Sequence, residues 1–438
     1  MRLLAWVLAA VIMGLTLLSQ GFGGVPASSA SPPISSTPPA SSEPERPVTG
    51  EIVFPANITG SGEDYYPAVL SYVPGYYYYE ERFGYLTARD GVVLDKQYVE
   101  ASFFSSGLAA VREYSEEWDR EVSYYINTKG EPQFGTIFAG ARGFSGGYAI
   151  TWGFDGACRI IDIENSAVYE LEDENVRLWG RYSDGMIGAS FELEGDLDGY
   201  FDVFGNVAIE PQFVWCTHFH DGMAMALLPG EEKVVYINTQ GEIVLRPDWL
   251  YYDDLYGPHA YDFSEGLACA KTGYINKKGE MVITFPQEWY YESEYDGEIY
   301  PPRVGRFSEG LAVVSLPAGG IAVINKAGKV VFTSPYDVLS IDEYQSEFSD
   351  GRLVVVDNRE GVEQELGTIG YIDTTGKLVI GFKYATAFMV SSDFINGIAE
   401  IAYYDEEGGQ DRHGYIDKKG KLVYVPEIPE EDGVVELS

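Results

Sequence analysis

The chain has 438 residues, a length that suits about two or three ordinary domains, and 45% of them are hydrophobic. Its 68 acidic and 29 basic residues give a formal net charge of −39. A surface this negative repels phosphate groups and anionic lipids, which argues against nucleic-acid and membrane-surface binding and favours neutral or cationic partners.

The N-terminus has the order of residues found in secretory signal peptides. Arg2 precedes an apolar run from Leu3 to Leu18, and small residues follow. This order predicts that residues 1–30 direct export and are then removed, or remain as an N-terminal anchor. Residues 31–47 are rich in Ser and Pro, which predicts an extended spacer. We therefore expect the folded part to be extracellular or at the cell surface.

Beyond the spacer the chain is periodic, and the first repeated block reads aromatic, two residues, glycine, apolar, small, as in FSEGLA from Phe263. We expect the aromatic side chain to be a buried anchor, the glycine to permit a bend, and a strand to follow. The eight glycines of this block, spaced 37 to 46 residues apart, are Gly107, Gly147, Gly185, Gly222, Gly266, Gly310, Gly351 and Gly397.

A second block follows each first block and reads apolar strand, Asn or Asp, two residues, glycine, apolar strand. The glycine supplies a positive φ and the Asn or Asp side chain can bond the turn, so this block predicts a β-hairpin. An early copy starts at Gly84, and a divergent copy has Asn165-Ser166 in place of the turn glycine. The turn glycines of the seven other copies are Gly130, Gly205, Gly241, Gly279, Gly328, Gly376 and Gly420.

Together the blocks predict an all-β protein built from about nine units of about forty residues, each with about three strands. One such unit cannot bury its own face, so residues 48–425 should form one cooperative repeat domain, followed by an acidic tail at 426–438. Both an open, solenoid-like stack and a closed β-propeller satisfy this pattern. The drifting spacing favours the open stack, and the propeller is the alternative.

The alternation of these blocks resembles the WG-repeat (KWG-type) family of bacterial proteins. FSEGLA at 263–268 and GYIDKKGKLV at 414–423 are close to the family pattern, and the resemblance runs from about Gly84 to Val425. It implies a tandem β-repeat protein, often exported, with a binding role and with no catalytic residues to transfer. The chain departs from the family where Trp should precede the hairpin glycine, since it has Phe83, Thr272, Ile369 and His413 there.

Residues 216–222 read CTHFHDG and contain the best candidates for metal ligands. His218 and His220 would share one face of a strand, and with Asp221 they could hold a divalent ion. The same stretch also aligns with the first block, which accounts for Phe219 and Gly222 without a metal, and this second interpretation is favoured.

Two further patterns in the sequence resemble metal sites, but each lacks a required ligand or spacing. Glu192, Glu194, Asp196 and Asp198 alternate as in a calcium loop, but the Glu needed at the twelfth position is Gly205. The cysteines at 158, 216 and 269 are odd in number and far apart, which predicts buried thiols rather than a disulfide framework or a zinc site. We therefore predict no metal and no cofactor.

Clustered aromatic residues are the candidate binding residues. A binding face would use such side chains for their flat amphipathic area, although half of each cluster could alternate into the core. These candidates are Tyr77, Tyr79, Tyr251, Trp289 and Tyr291.

The sequence contains no nucleophile, zincin, P-loop or dinucleotide motif. We therefore predict a monomeric, exported, non-enzymatic protein that presents an extended surface to a protein or a cell-envelope polysaccharide. The alternatives are a secreted glycan hydrolase that uses two loop carboxylates, and a purely structural spacer.

Overall fold

The computed structural model of the protein describes residues 62–74, 79–171, 173, 175–192, 195–251, 262–293, 297–338, 347–359, 368–385, 393–405 and 410–426. The proposed signal peptide (1–30) and spacer (31–47) lie outside these ranges, as does the acidic tail beyond residue 426. The described residues contain no α-helix, and accordingly no helix of the kind that could cross a membrane.

The strands form nine consecutive antiparallel units, because one of the nine sheets is a small inserted hairpin and the six-stranded sheet contains two units. The strands of units 1 to 4 are β1 (Tyr66–Pro74), β2 (Tyr79–Thr87), β3 (Gly91–Tyr98); β4 (Glu100–Ala101), β5 (Leu108–Ser115), β6 (Arg120–Asn127); β7 (Gly140–Ala141), β8 (Tyr148–Trp152), β9 (Cys158–Asp162), β10 (Ala167–Leu171); and β11 (Val176–Ser183), β12 (Met186–Phe191), β13 (Leu197–Phe201), β14 (Val207–Phe213).

The remaining strands repeat this plan, and a 3₁₀ turn at Gln287–Trp289 precedes the inserted hairpin. The strands of units 5 to 9 are β15 (Trp215–Cys216), β16 (Met223–Leu227), β17 (Val235–Asn238), β18 (Ile243–Leu245); β19 (Leu267–Ala270), β20 (Gly273–Asn276), β21 (Met281–Thr284); β24 (Leu311–Ser315), β25 (Ile321–Asn325), β26 (Val330–Ser334); β27 (Arg352–Val356), β28 (Thr368–Asp373), β29 (Leu378–Ala385); and β30 (Ile398–Asp405), β31 (Gln410–Asp417), β32 (Leu422–Tyr424). The inserted hairpin, between units 6 and 7, is β22 (Tyr291–Glu292) with β23 (Ile299–Tyr300).

The second block forms the predicted hairpin turn by the same hydrogen bonds in units 2 to 9, whereas in unit 1 the hydroxyl of Thr87 accepts the N–H of Asp90. In unit 5, Oδ1 of Asn238 accepts the N–H groups of Gln240 and Glu242 at 3.0 Å. The N–H of Gly241 donates to the Asn238 carbonyl at 2.9 Å, and Gly241 has a φ of +76°. Such a turn needs a residue in the left-handed region before the next strand. In the divergent copy Asn165 supplies it, with a φ of +60°.

The hydrophobic core lies between the units rather than within them. In the described residues it divides into nine clusters, one at each boundary. At the boundary of units 6 and 7, for example, Tyr274 and Ile283 pack against Phe307 and Ile324. Each unit therefore gives one face to its predecessor and the other to its successor, as the repeat argument requires.

The all-β tandem array predicted from the sequence is confirmed, and within the described ranges no sheet closes on itself as a barrel. The two ends of the array are also in contact. The N–H of Val69 donates to the hydroxyl of Tyr415 at 2.9 Å, and the hydroxyl of Tyr424 donates to the Leu70 carbonyl at 2.7 Å. Tyr66 and Ala68 share a buried cluster with Tyr415. The stack of separate sheets thus brings unit 9 back onto unit 1 through side chains.

Removing the Tyr415 hydroxyl tests this contact between the ends. The substitution Tyr415→Phe leaves the buried N–H of Val69 without its acceptor, so the free energy of unfolding should fall by about 1–3 kcal/mol. Urea denaturation followed by tyrosine fluorescence measures the change. The control is Tyr114→Phe, because Tyr114 is 55% exposed and its hydroxyl bonds only to the exposed carboxylate of Asp119, so its removal should cost much less than that of the Tyr415 hydroxyl. Equal effects of the two substitutions would argue against a contact in solution.

Candidate functional site

The strand order gives the array two different ends. Antiparallel neighbours reverse direction at each connection, so both repeated blocks turn at one end of each unit, which we name the turn end. The connections between the strand of the first block and the first strand of the hairpin lie at the opposite end, the loop end. Those in the described residues of units 2, 3, 5, 6 and 7 are 116–119, 153–157, 228–234, 271–272 and 316–320.

At the turn end, the residue before the first-block glycine links each of units 4 to 8 to the next unit. In five consecutive cases this residue is acidic, has a positive φ, and accepts the N–H of the next unit's glycine through its carboxylate at 2.5–3.1 Å. The bonded pairs are Asp184 with Gly222, Asp221 with Gly266, Glu265 with Gly310, Glu309 with Gly351, and Asp350 with Gly397.

A second set of bonds between units comes from the serine that follows the block aromatic in units 3, 4, 6, 7 and 8. Its hydroxyl donates to the carbonyl of the next unit's block aromatic at 2.5–2.7 Å. The bonded pairs are Ser145 with Tyr182, Ser183 with Phe219, Ser264 with Phe307, Ser308 with Phe348, and Ser349 with Phe394. The serine, the acidic residue and the glycine of the first block therefore serve to join adjacent units through hydrogen bonds.

The candidate metal ligands of unit 5 are divided between two boundaries. Asp221 faces unit 6, where its carboxylate accepts the N–H of Gly266 and its carbonyl accepts a bond from Lys277. His218 faces unit 4, where its Nε2 accepts the N–H of Arg181 at 3.4 Å. His220 occupies the serine position of the block. Within the described ranges no three His, Cys, Asp or Glu side chains are grouped to hold a metal ion.

Two residues of the calcium-like pattern, Glu192 and Asp198, bind other protein groups, and Asp198 is also bonded to the backbone of Cys216 in unit 5. Glu192 pairs with Arg177 at 2.5 Å, and Asp198 accepts the hydroxyl of Ser190 at 2.6 Å. Burial raises the pKa of the Asp198 carboxyl. Glu194 lies outside the described residues.

The three cysteines are buried free thiols. Burial raises the pKa of Cys158 to about 11 and that of Cys269 to about 12, and it also raises the pKa of Cys216. These thiols are protonated at neutral pH and pack as small hydrophobic side chains.

Exposed aromatic side chains at the loop end form a surface that the sequence analysis missed. Trp118 of unit 2 and Phe154 of unit 3 stack with their ring planes 8° apart and their centroids 5.8 Å apart. They are 50% and 38% exposed, and the guanidinium of Arg120 lies 5.4 Å from the Phe154 ring. With Tyr114 on the adjoining strand, these residues are named the aromatic platform. The signal in the sequence was an aromatic residue in each of two adjacent loops, where neither block requires one.

The aromatic residues that the sequence suggested as binding candidates differ in their exposure and packing. Tyr251 is 40% exposed and lies under the ammonium group of Lys233 at 5.0 Å. Tyr291 stacks on Tyr300 at 5.9 Å within the inserted hairpin. Trp289 is partly buried and packs against the core between units 6 and 7. Tyr77 lies outside the described residues, as does the side chain of Tyr79.

A comparison with protein families identifies a known repeat in four segments of the chain. The family model of the WG containing repeat matches residues 83–115, 199–228, 236–272 and 369–399. The chain contains WG repeats. Each matched WG repeat covers the last two strands of one unit and continues through the first block of the next unit. The repeat in sequence is therefore shifted against the structural unit, and the covalent chain itself links adjacent sheets.

No curated protein matches the chain. Among solved structures, a eukaryotic initiation factor is 11% identical, covering 81% of this chain and 94% of its own, with a TM-score of 0.41. The computationally designed Ika8 protein is 13% identical, covering 64% of this chain and 84% of its own, with a TM-score of 0.37. BamB from Moraxella catarrhalis is 10% identical, covering 77% and 86%, with a TM-score of 0.28. These similarities are too distant to inform function.

Unit 5 has His220 where other units have the serine that bonds to the next unit, and replacing His220 with serine tests the role of that position. His220→Ser should add the missing hydroxyl bond to the carbonyl of Phe263 and raise the free energy of unfolding by about 0.5–1.5 kcal/mol. Ser308→Ala, which removes such a bond at another boundary, should lower it by a similar amount. Urea denaturation measures both changes. If Ser308→Ala lowers the free energy of unfolding and His220→Ser does not raise it, then serine at the His220 position does not form the expected bond.

Proposed function

We propose that the protein is exported and binds a neutral polysaccharide of the cell envelope through the aromatic platform at its loop end. The observation that carries this proposal is the stacked pair of Trp118 and Phe154, which stays exposed while most aromatic side chains in the described ranges are buried or partly buried. Neither residue belongs to a block, so the fold does not require an aromatic side chain at either position.

The chemistry of the platform suits a sugar polymer. Rigid aromatic side chains offer wide flat areas to a ligand and lose little conformational entropy when they bind it. Because the platform joins loops of two adjacent units, it is extended in the direction of the array. The net charge of −39 disfavours an acidic polymer at this surface, which leaves neutral glycan as the best match.

Substitution of the platform residues tests the proposal. Trp118→Ala and Phe154→Ala should each weaken binding of the full chain to insoluble envelope polysaccharide by about tenfold, because each removes half of the stacked pair. A pull-down with increasing amounts of polysaccharide gives the apparent Kd. Both side chains are exposed, so thermal unfolding of the variants should match that of the original chain.

Phe204→Ala is the matched control, because Phe204 is 40% exposed but lies in a hairpin turn at the turn end. It should leave binding unchanged. Equal binding by all variants would overturn the platform as the binding surface. Release of soluble sugars during the assay would instead favour the glycan hydrolase, and capture of an envelope protein that depends on Trp118 would assign the same surface to a protein partner.

A further inference from the structure

The boundary between units 9 and 1, here named the closing boundary, is joined by other residues than the boundaries before it. Unit 9 has Ile395 and Asn396 in the block positions where units 4, 6, 7 and 8 have a serine and an acidic residue. The side-chain amide of Asn396 donates to the carbonyl of Tyr65 at 3.0 Å. The first block of unit 9 therefore meets unit 1 through an uncharged group, where units 4 to 8 each offer a carboxylate.

Charged side chains lie instead on the strands of the closing boundary. Ile398 of β30 and Tyr415 of β31 are buried in the cluster shared with unit 1. Because side chains alternate along a strand, Glu400 lies on the same face of β30 as Ile398. For the same reason His413 lies on the same face of β31 as Tyr415. Nδ1 of His413 is 3.6 Å from Oε1 of Glu400, whose side chain is only 12% exposed.

Unit 1 brings a second carboxylate to this pair. Glu81 of β2 interacts electrostatically with both Glu400 and His413 across the boundary. Burial raises the pKa of three phenols beside the pair, to about 12 in one of them, so all three stay neutral where histidine titrates. These phenols belong to Tyr66, Tyr72 (the one at about 12) and Tyr415.

Two more charged side chains lie near this set. The guanidinium of Arg82 donates to the carboxylate of Glu80 and to the carbonyl of Glu81, each at 2.9 Å. Asp393, which precedes β30, interacts with the hydroxyl of Tyr66. Of the described charged groups at the closing boundary, His413 is therefore the one whose charge changes near neutral pH.

We propose that the closing boundary is a pH-sensitive contact, in which protonated His413 balances the carboxylates of Glu400 and Glu81. Closing the boundary moves Glu400 out of water and brings Glu81 towards it, and two carboxylates so placed need a positive charge beside them. When His413 loses its proton, the two carboxylates repel each other across the boundary, and the ends of the array separate more often. The apolar cluster between units 9 and 1 is then exposed. This inference does not depend on the proposed function.

The pKa directions give the sign of the pH dependence. The adjacent carboxylate of Glu400 raises the pKa of His413 above 6.5, burial opposes this rise, and Glu81 adds to it. The folded state thus holds this proton more tightly than the unfolded chain does. The resulting stabilisation is fully present below about pH 6.5 and is lost as the pH rises through the raised pKa. Burial and Glu400 also raise the pKa of Glu81, so its ionisation weakens the closed boundary in the same direction.

Hydrogen exchange of the full chain between about pH 6 and about pH 9 tests the proposal. Opening of the boundary releases the N–H of Val69 from Tyr415, so exchange in β1 reports the open fraction. Mass spectrometry measures this exchange, which is corrected for the direct effect of pH on exchange rates. Protection of β1 should fall by about two- to fivefold as the pH rises, the range expected for a partly exposed ion pair. Protection of β27, buried in unit 8, should not change and is the internal reference.

Two substitutions separate this mechanism from a general loss of stability. Glu81→Gln removes the carboxylate that unit 1 contributes, so β1 should remain protected at about pH 9. His413→Gln removes the titrating group, so the protection of β1 at about pH 6 should fall to the value of the original chain at about pH 9. His220→Gln is the matched control, because His220 lies in unit 5, and it should behave as the original chain does.

The proposal is overturned if the protection of β1 in the original chain does not fall as the pH rises. It is also overturned if Glu81→Gln or His413→Gln keeps the full pH dependence, because another group then titrates. A parallel loss of protection in β27 would show that the whole chain opens rather than the closing boundary. Glu81 is exposed, so its variant should fold and decides the matter even where His413→Gln does not fold.

Discussion

The hydrogen bond from a glycine N–H to a carboxylate of the preceding unit is the repeated interaction that joins units 4 to 9 of this array. Glu rarely adopts a positive φ, yet Glu265 and Glu309 do so at the turn end. Their local conformation does not favour an acidic residue, but the bond to the next unit does, because it satisfies a backbone donor with a charged acceptor. Part of the acidity of the chain is thus a consequence of how its units are joined.

Constraint at one end of the array leaves the other end free to vary. At the turn end most units contribute a serine or an acidic residue that bonds to the next unit, so a change there loses contacts between units. At the loop end the connections differ in length from 271–272 to 228–234, and the inserted hairpin also lies between two units. The drifting repeat spacing in the sequence is explained by these segments. Recognition surfaces are expected where residues are not needed for assembly, which is the case for Trp118 and Phe154.

Local chemistry made much of the fold predictable. The hairpin turn follows from Asn or Asp and glycine at fixed spacing, and the burial of Phe307 and Phe348 follows from their place in the first block. The contact of Tyr415 with Val69 could not be foreseen, because it joins residues 346 positions apart in different units. The aromatic platform was missed for the same reason, since it forms at a boundary between units.

The contact between the two ends also bears on how so many similar units form one body. A stack of repeats ordinarily exposes an apolar face at each end and needs atypical terminal units to cover it. Here the apolar face of unit 1, with Tyr66 and Leu70, is covered by Ile398 and Tyr415 of unit 9. All nine clusters between units are then of one kind, and no unit lacks a neighbour on either face. The hydroxyl of Tyr415 adds direction to this contact, because it accepts a bond from one particular backbone N–H and so fixes the register in which the ends meet.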